Sequence, residues 1–268
     1  ITSYGLQTSA LYGFTSQLLK LIELEKPDYV ACAFDSKEKT FRHEIFSDYK
    51  AQRPEMPDEL QIQLPHLWEL LESLCLPTLK KPGFEADDLI GTLALEANKN
   101  KLDTYIVSGD KDFMQLINEH VFLYSPGNRW KPKPTIYDIE GVEKKWGVKP
   151  NKIIDLLGLM GDASDNIPGA SGIGEKTAVK LIKEYGSLEN SLKNAKKIKN
   201  KRIQNGLLNN QDVTLMSKEL ATIKTDLSLD LSINDLKLKE INKINSLKKF
   251  RELEFLALEK FISNGENG

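Results

Sequence analysis

The sequence predicts an α/β protein with a parallel-rich central sheet flanked by helices. Two short apolar runs without helical period, at residues 29–34 and 104–107, read as buried strands. Helical patterns separate them, and strands alternating with helices argue for parallel pairing. Acidic residues also cluster at the ends of these apolar segments, where open α/β sheets place their ligands.

At 268 residues the chain has room for one large domain or two smaller ones. No apolar run is long enough to cross a membrane. No signal peptide shows at the start, and Cys32 and Cys75 read as buried free thiols, so the expected location is intracellular: cytoplasmic, at the nucleoid, in a bacterium, or organellar in a eukaryote. A net charge of -2 says nothing about a partner. Its distribution does: residues 175 to 202 hold nine Lys or Arg against three Glu, a local basic surface.

In order, residues 1–9 read as loop and 10–25 as a helix with Leu11, Phe14, Leu18, Leu21 and Ile22 as its core stripe. The first strand ends in Asp35. Residues 37–55 interleave cations with aromatics, among them Arg42, Tyr49, Lys50 and Arg53; a solvated charged segment and a phosphate grip both fit. Leu60, Leu64, Leu67, Leu71 and Leu74 mark a long helix bent or restarted at Pro65. Glu85, Asp87 and Asp88 open another helix, with Glu85 and Asp88 on one face and Asp87 rotated away. Acidic first turns are common because the helix dipole favours them. The second strand runs into Asp110 and Asp112, and residues 121–124 read as a third strand. Residues 125–134 read as an exposed loop, 141–147 and 150–161 as helices, the latter delivering Asp162 and Asp165, and 250–261 as a last amphipathic helix.

Asp35, Glu85, Asp87, Asp88, Asp110, Asp112, Asp162 and Asp165 therefore all fall at element ends. If they converge, that many carboxylates need cations to stay ionised together. Mg²⁺ or Mn²⁺ suits oxygen donors, and two such ions can clamp a phosphodiester during in-line displacement. No Cys/His cluster points to zinc. Next, Gly169, Gly172 and Gly174 form a turn that runs into a helix opening with Lys176 and Thr177, as in a helix–hairpin–helix, where backbone N–H groups can meet a phosphate. A Gly-rich joint between packed helices is the plainer reading; the basic run beyond favours DNA.

In combination these motifs resemble the 5′-nuclease family: the 5′→3′ exonuclease domain of bacterial DNA polymerase I, the phage 5′-nucleases and, more distantly, the eukaryotic flap endonucleases. They are Ala33-Phe34-Asp35, Phe41-Arg42 through Tyr49-Lys50-x-x-Arg53, Glu85-Ala86-Asp87-Asp88, Ser108-Gly109-Asp110-Lys111-Asp112, Gly161-Asp162-x-x-Asp165-Asn166-Ile167-Pro168-Gly169 and Gly172-Ile173-Gly174-x-Lys176-Thr177-Ala178. The resemblance implies a PIN-like nuclease core with a helical arch over residues 1–147 and a helical DNA-binding region over 148–268. It implies two or more Mg²⁺ or Mn²⁺ ions, with Asp35, Glu85, Asp87 and Asp110 at the first, Asp112, Asp162 and Asp165 at the second, and Asp88 at or just outside the ligand shell. Lys50 would act on the scissile phosphate, with Asp35 and Asp110 also catalytic. Tyr49 would stack on a base, and Arg42 and Arg53 would hold the single strand. Gly169, Gly172, Gly174, Lys176 and Thr177 would grip duplex DNA around a K⁺.

The implied activity is structure-specific 5′→3′ exonuclease and 5′-flap endonuclease cleavage in replication and repair, on flapped, nicked or gapped duplex. The implied partner is a DNA polymerase in trans or fused, with no membrane. Family members begin with a strand ending in an Asp-Gly-Asn type motif, and this sequence starts after it. If that strand is truly absent, exposed sheet edges and DNA binding without cleavage are expected instead. An RNA nuclease is a further alternative, against which the hairpin argues. A small-molecule phosphatase fits less, since no nucleophile sits beside the glycines.

Overall fold

A computed structural model describes residues 1–127 and 133–264. It divides into two compact units, one of Ile1–Phe34, Pro54–Leu79 and Leu229–Gly268, the other of Asp35–Arg53 and Lys80–Ser228. The expected parallel pairing is present, in two sheets. Among the described residues no helix is long and apolar enough to cross a membrane.

In the first unit, strand β1 (Cys32–Ala33) pairs in parallel with β2 (Thr78–Leu79). With a single strand neighbour among the described residues, residues 29–34 are half-buried, not covered on both faces as expected. Both cysteines are free and half-buried, and burial pushes the Cys32 thiol up to about 11. Helix Ser9–Glu25 buries Leu11, Thr15 and Leu19, four residues apart, which turns the predicted Phe14 outward. The Leu-rich helix restarts as predicted: Asp58–Gln61 ends and Leu64–Ser73 begins with Pro65 in its first turn, where a missing N–H leaves nothing unpaired. The predicted single helix at 250–261 is two, Lys243–Glu252 and Leu256–Asn264. Leu253 and Phe255, two apart, would point to opposite sides of one helix; a break with Glu254 left-handed (φ 57°) sends both into a core with Leu70, Leu71, Leu74 and Phe250.

In the second unit, β3 (Thr104–Val107) pairs in parallel with β4 (Val121–Ser125), which pairs antiparallel with β5 (Thr135–Tyr137). The sequence reading missed β5, a three-residue strand immediately after a Pro/Lys-rich stretch. Of the predicted loop 125–134, residues 128–132 lie outside the described residues. β3 alternates: Ile106 is buried, while Tyr105 and Val107 are about half exposed, so it is a one-faced strand. Helix Ala86–Lys99 buries Leu89, Leu93, Ala94 and Ala97. Helix Ile153–Met160, the most apolar, packs against Gln211–Ala221 and Glu175–Tyr185. Gly158 makes this approach possible, since a Cβ there would lie 2.6 Å from Leu188 Cδ1 and 2.7 Å from Lys218 Cβ.

Candidate metal and nucleic-acid site

Every candidate residue lies in the second unit. Glu85 caps helix Ala86–Lys99, and Glu85 and Asp88 form a reciprocal capping box. Asp88 is fully buried. Its Oδ2 accepts from Arg42 Nη1 at 2.8 Å and Glu85 N at 3.1 Å; its Oδ1 accepts from Arg42 Nη2 at 2.8 Å and Lys224 N at 2.9 Å. Arg42, 2% exposed, also donates to the Leu220 and Thr222 carbonyls at 2.8 and 2.9 Å. Two expectations are thereby corrected. Asp88 has no oxygen left for a metal, and Arg42 has no free face for DNA, because a buried charge must spend its hydrogen bonds on its partners.

Asp87 faces the other way. Burial, then Asp110, Glu85 and Asp35, push its carboxyl up to about 7 against the pull of Lys50. Asp35 accepts from Ala86 N at 2.8 Å. Asp110 is exposed and caps the short turn Lys111–Leu116, accepting from Asp112 N at 2.9 Å. Asp112 is held up at about 8 by burial, then Asp110 and Asp162, and its Oδ1 is buried without a hydrogen-bond partner. Asp162 is buried too, yet Lys111 Nζ at 2.6 Å and Ser164 N at 2.9 Å outweigh burial and hold its carboxyl below the usual range. These acids and an unpaired buried oxygen fit a divalent cation. Among the described residues, though, no three of them bring ligand atoms within 4.8 Å of one another. The trio that does, His66, Glu69 and Glu252 in the first unit, is filled by the Lys249 ammonium.

Lys50 Nζ lies 2.8 Å from Glu85 Oε1 and 3.8 Å from Asp165 Oδ2, and Arg53 Nη2 lies 2.5 Å from Asp165 Oδ1. Both stand among the acids. Tyr49 does not fit its expected part: its ring is 3% exposed and its hydroxyl lies 3.1 Å from both Glu85 Oε2 and Asp165 Oδ2, so no base can stack on it here. Lys111 went unassigned in the sequence, although a cation between two acids was its signal.

The hairpin after helix Ile153–Met160 is split in role. Gly169 is buried, left-handed (φ 64°), and a Cβ would lie 2.3 Å from Gly161 N; its N–H donates to Ser217 Oγ at 3.0 Å. It serves backbone packing, which corrects its assignment to DNA. Gly172 (φ 75°), Gly174 and Lys176 are exposed, Thr177 is half-buried, and Gly174 caps helix Glu175–Tyr185.

Residues 1–147 match the 5′-3′ exonuclease N-terminal resolvase-like domain, and residues 148–244 the 5′-3′ exonuclease C-terminal SAM fold. The chain is 42% identical over 263 residues to the 5′-3′ exonuclease of Aquifex aeolicus, covering 97% of this chain and 87% of that protein. It is 41% identical over 266 residues to DNA polymerase I of Caldicellulosiruptor bescii, covering 99% of this chain and 31% of that protein, so it spans about a third of such polymerases. Its fold is similar to the bacteriophage T5 D15 flap endonuclease in a pseudo-enzyme–product complex with DNA and metal ions, with a TM-score of 0.67 at 21% identity over 84% of each chain.

Proposed function

The chain belongs to the 5′-3′ exonuclease family, and from that premise we propose that it hydrolyses DNA phosphodiesters near a 5′ end or flap junction with divalent cations, Mg²⁺ or Mn²⁺. The observation that carries this reading is the unpartnered buried oxygen of Asp112 in a group of acids that raise one another, Asp87 to about 7 and Asp112 to about 8, both pushed up by burial and then by Asp110. Asp35, Glu85, Asp87 and Asp110 would hold one ion, and Asp112, Asp162 and Asp165 another. When bound, the ions supply Lewis acidity and offset the carboxylate charge.

The protein's own groups do the rest. Lys50, whose Nζ stands over Glu85 and Asp165 at the edge of the acid cluster, can meet the charge that develops on the phosphate. Arg53 is half exposed and can hold a strand entering the site. Gly172, Gly174 and Lys176 offer backbone N–H groups, Lys176 a cation and Thr177 a hydroxyl to duplex phosphates without reading sequence; a K⁺ there belongs to the same proposal. The T5 enzyme's complex with DNA and metal ions supports this reading, as does the fusion of such domains to a polymerase in relatives.

One observation favours a second reading, DNA binding without turnover: the carboxylates are not drawn to single-ion range among the described residues. Cleavage of an end-labelled 5′-flap duplex by this chain, in Mg²⁺ and in EDTA and alongside binding, separates the two. Mg²⁺-dependent cutting near the junction is expected. Tight binding without cutting supports the second reading, and folded protein that neither binds nor cuts overturns both.

A further inference from the structure

We infer that Asn166 is a positioning residue that sets Lys50 over the acid cluster, a role that rests on the nuclease reading above. Its amide works in both directions on the segment carrying Lys50. Asn166 Nδ2 donates to the Asp48 carbonyl at 2.7 Å, and Gln52 Nε2 donates to Asn166 Oδ1 at 3.1 Å. Asp48 and Gln52 flank Lys50 two residues to either side. Between these two bonds, Lys50 N donates to the Asp165 carbonyl at 2.9 Å, next door to Asn166 in the chain. One side chain therefore grips both flanks of a residue whose own main chain is fastened to the neighbouring peptide.

The backbone points the same way. Lys50 (φ 56°) and Asn166 (φ 57°) are both left-handed, facing each other across this set of bonds. Asn tolerates that region better than other side chains, whereas Lys does not favour it. Such a conformation persists only where the surroundings over-determine it, and it recurs at functional sites. Its effect is to place Lys50 Nζ 2.8 Å from Glu85 Oε1. Asn166 and Gln52 lie away from the core, so these bonds add little to global stability, and loosening them should disturb Lys50 before it disturbs the fold.

Two variants test this. Asn166→Gly keeps the left-handed backbone and removes both amide bonds. Asn166→Asp keeps the shape and the Gln52 contact but sets an oxygen against the Asp48 carbonyl. Both should lower kcat on a flap substrate by roughly 10- to 100-fold, the loss a misplacement of about 1 Å causes, with KM and the thermal midpoint little changed. In a Lys50→Ala background, Asn166→Gly should add almost nothing, because the two residues act as one unit. Independently of activity, trypsin should cut the Lys50–Ala51 bond faster in Asn166→Gly than in the parent protein at the same thermal midpoint. Equal kcat losses with and without Lys50, or unchanged trypsin cleavage after Lys50, overturn the inference, as does a Lys50→Ala variant that turns over like the parent. If the parent protein cuts no flap, the nuclease reading falls while the trypsin comparison still decides the tether.

Discussion

Replacing Arg42 with Ala separates two roles that the sequence alone leaves confounded. Arg42 lies in a segment of cations and aromatics that reads as a DNA grip, yet its guanidinium is buried against Asp88, the Leu220 and Thr222 carbonyls, and the face of Phe41 at 4.6 Å. Arg42→Ala would strand a fully buried carboxylate with only the Glu85 and Lys224 amides. Breaking a buried pair from one side costs about 3–5 kcal/mol. At about 2–4 °C per kcal/mol for a chain near this size, the midpoint should fall by about 6–20 °C. Arg42→Ala/Asp88→Leu should lose less than the sum of its single changes, because neither charge is then stranded. DNA binding measured below the lowered midpoint should keep its dependence on salt, whereas an arginine on a phosphate would cut the slope of log K against log salt by about 0.9. A stability change below about 1 kcal/mol together with a flatter salt slope would refute the buried-pair argument and return Arg42 to the DNA.

In EDTA the protein should lose stability as pH rises from about 5 to 8.5. Asp87 and Asp112 titrate higher in the folded chain than unfolded, so the folded state binds more protons and its advantage disappears as pH passes about 7 to 8. Mg²⁺ at 100 times its Kd should restore about 2.7 kcal/mol, read as a midpoint gain larger at pH 8 than at pH 5; a gain independent of pH would count against these acids as ligands. Asp112→Asn should raise the metal-free midpoint at pH 8 and shrink the Mg²⁺ gain, checked by the same scans, since it removes charge repulsion together with a ligand. Gly169→Ala should cost at least about 2 kcal/mol in urea unfolding, because its Cβ meets the Gly161 backbone, not a movable side chain. An unchanged unfolding midpoint would restore Gly169 as a free phosphate contact.

Spacing and residue type carried the acidic constellation. Glu85 and Asp88 share a helix face at any helix N-terminus with that spacing, so that shared face was legible, as were the restart at Pro65 and the parallel pairing of short apolar strands; the capping box they form there was not foreseen. The sequence by itself determined which elements carry the acidic residues, because helical and extended periodicities act over a few residues. It did not determine which charges are used up. Arg42 and Asp88 lie 46 positions apart, and their partners Leu220, Thr222 and Lys224 lie further along still. Nothing local marks such a pair as buried, so Asp88 was placed at or just outside a metal's ligand shell and Arg42 on the DNA. Tyr49 passed for a stacking ring for the same reason, and Gly169 for a phosphate contact until Gly161 and Ser217 were beside it. The break at Glu254 and the half-exposed faces of β1 and β3 likewise depend on what packs where. Tertiary structure alone decides these points, because burial sets the energy of a charge or a turn and depends on neighbours the chain brings from far away.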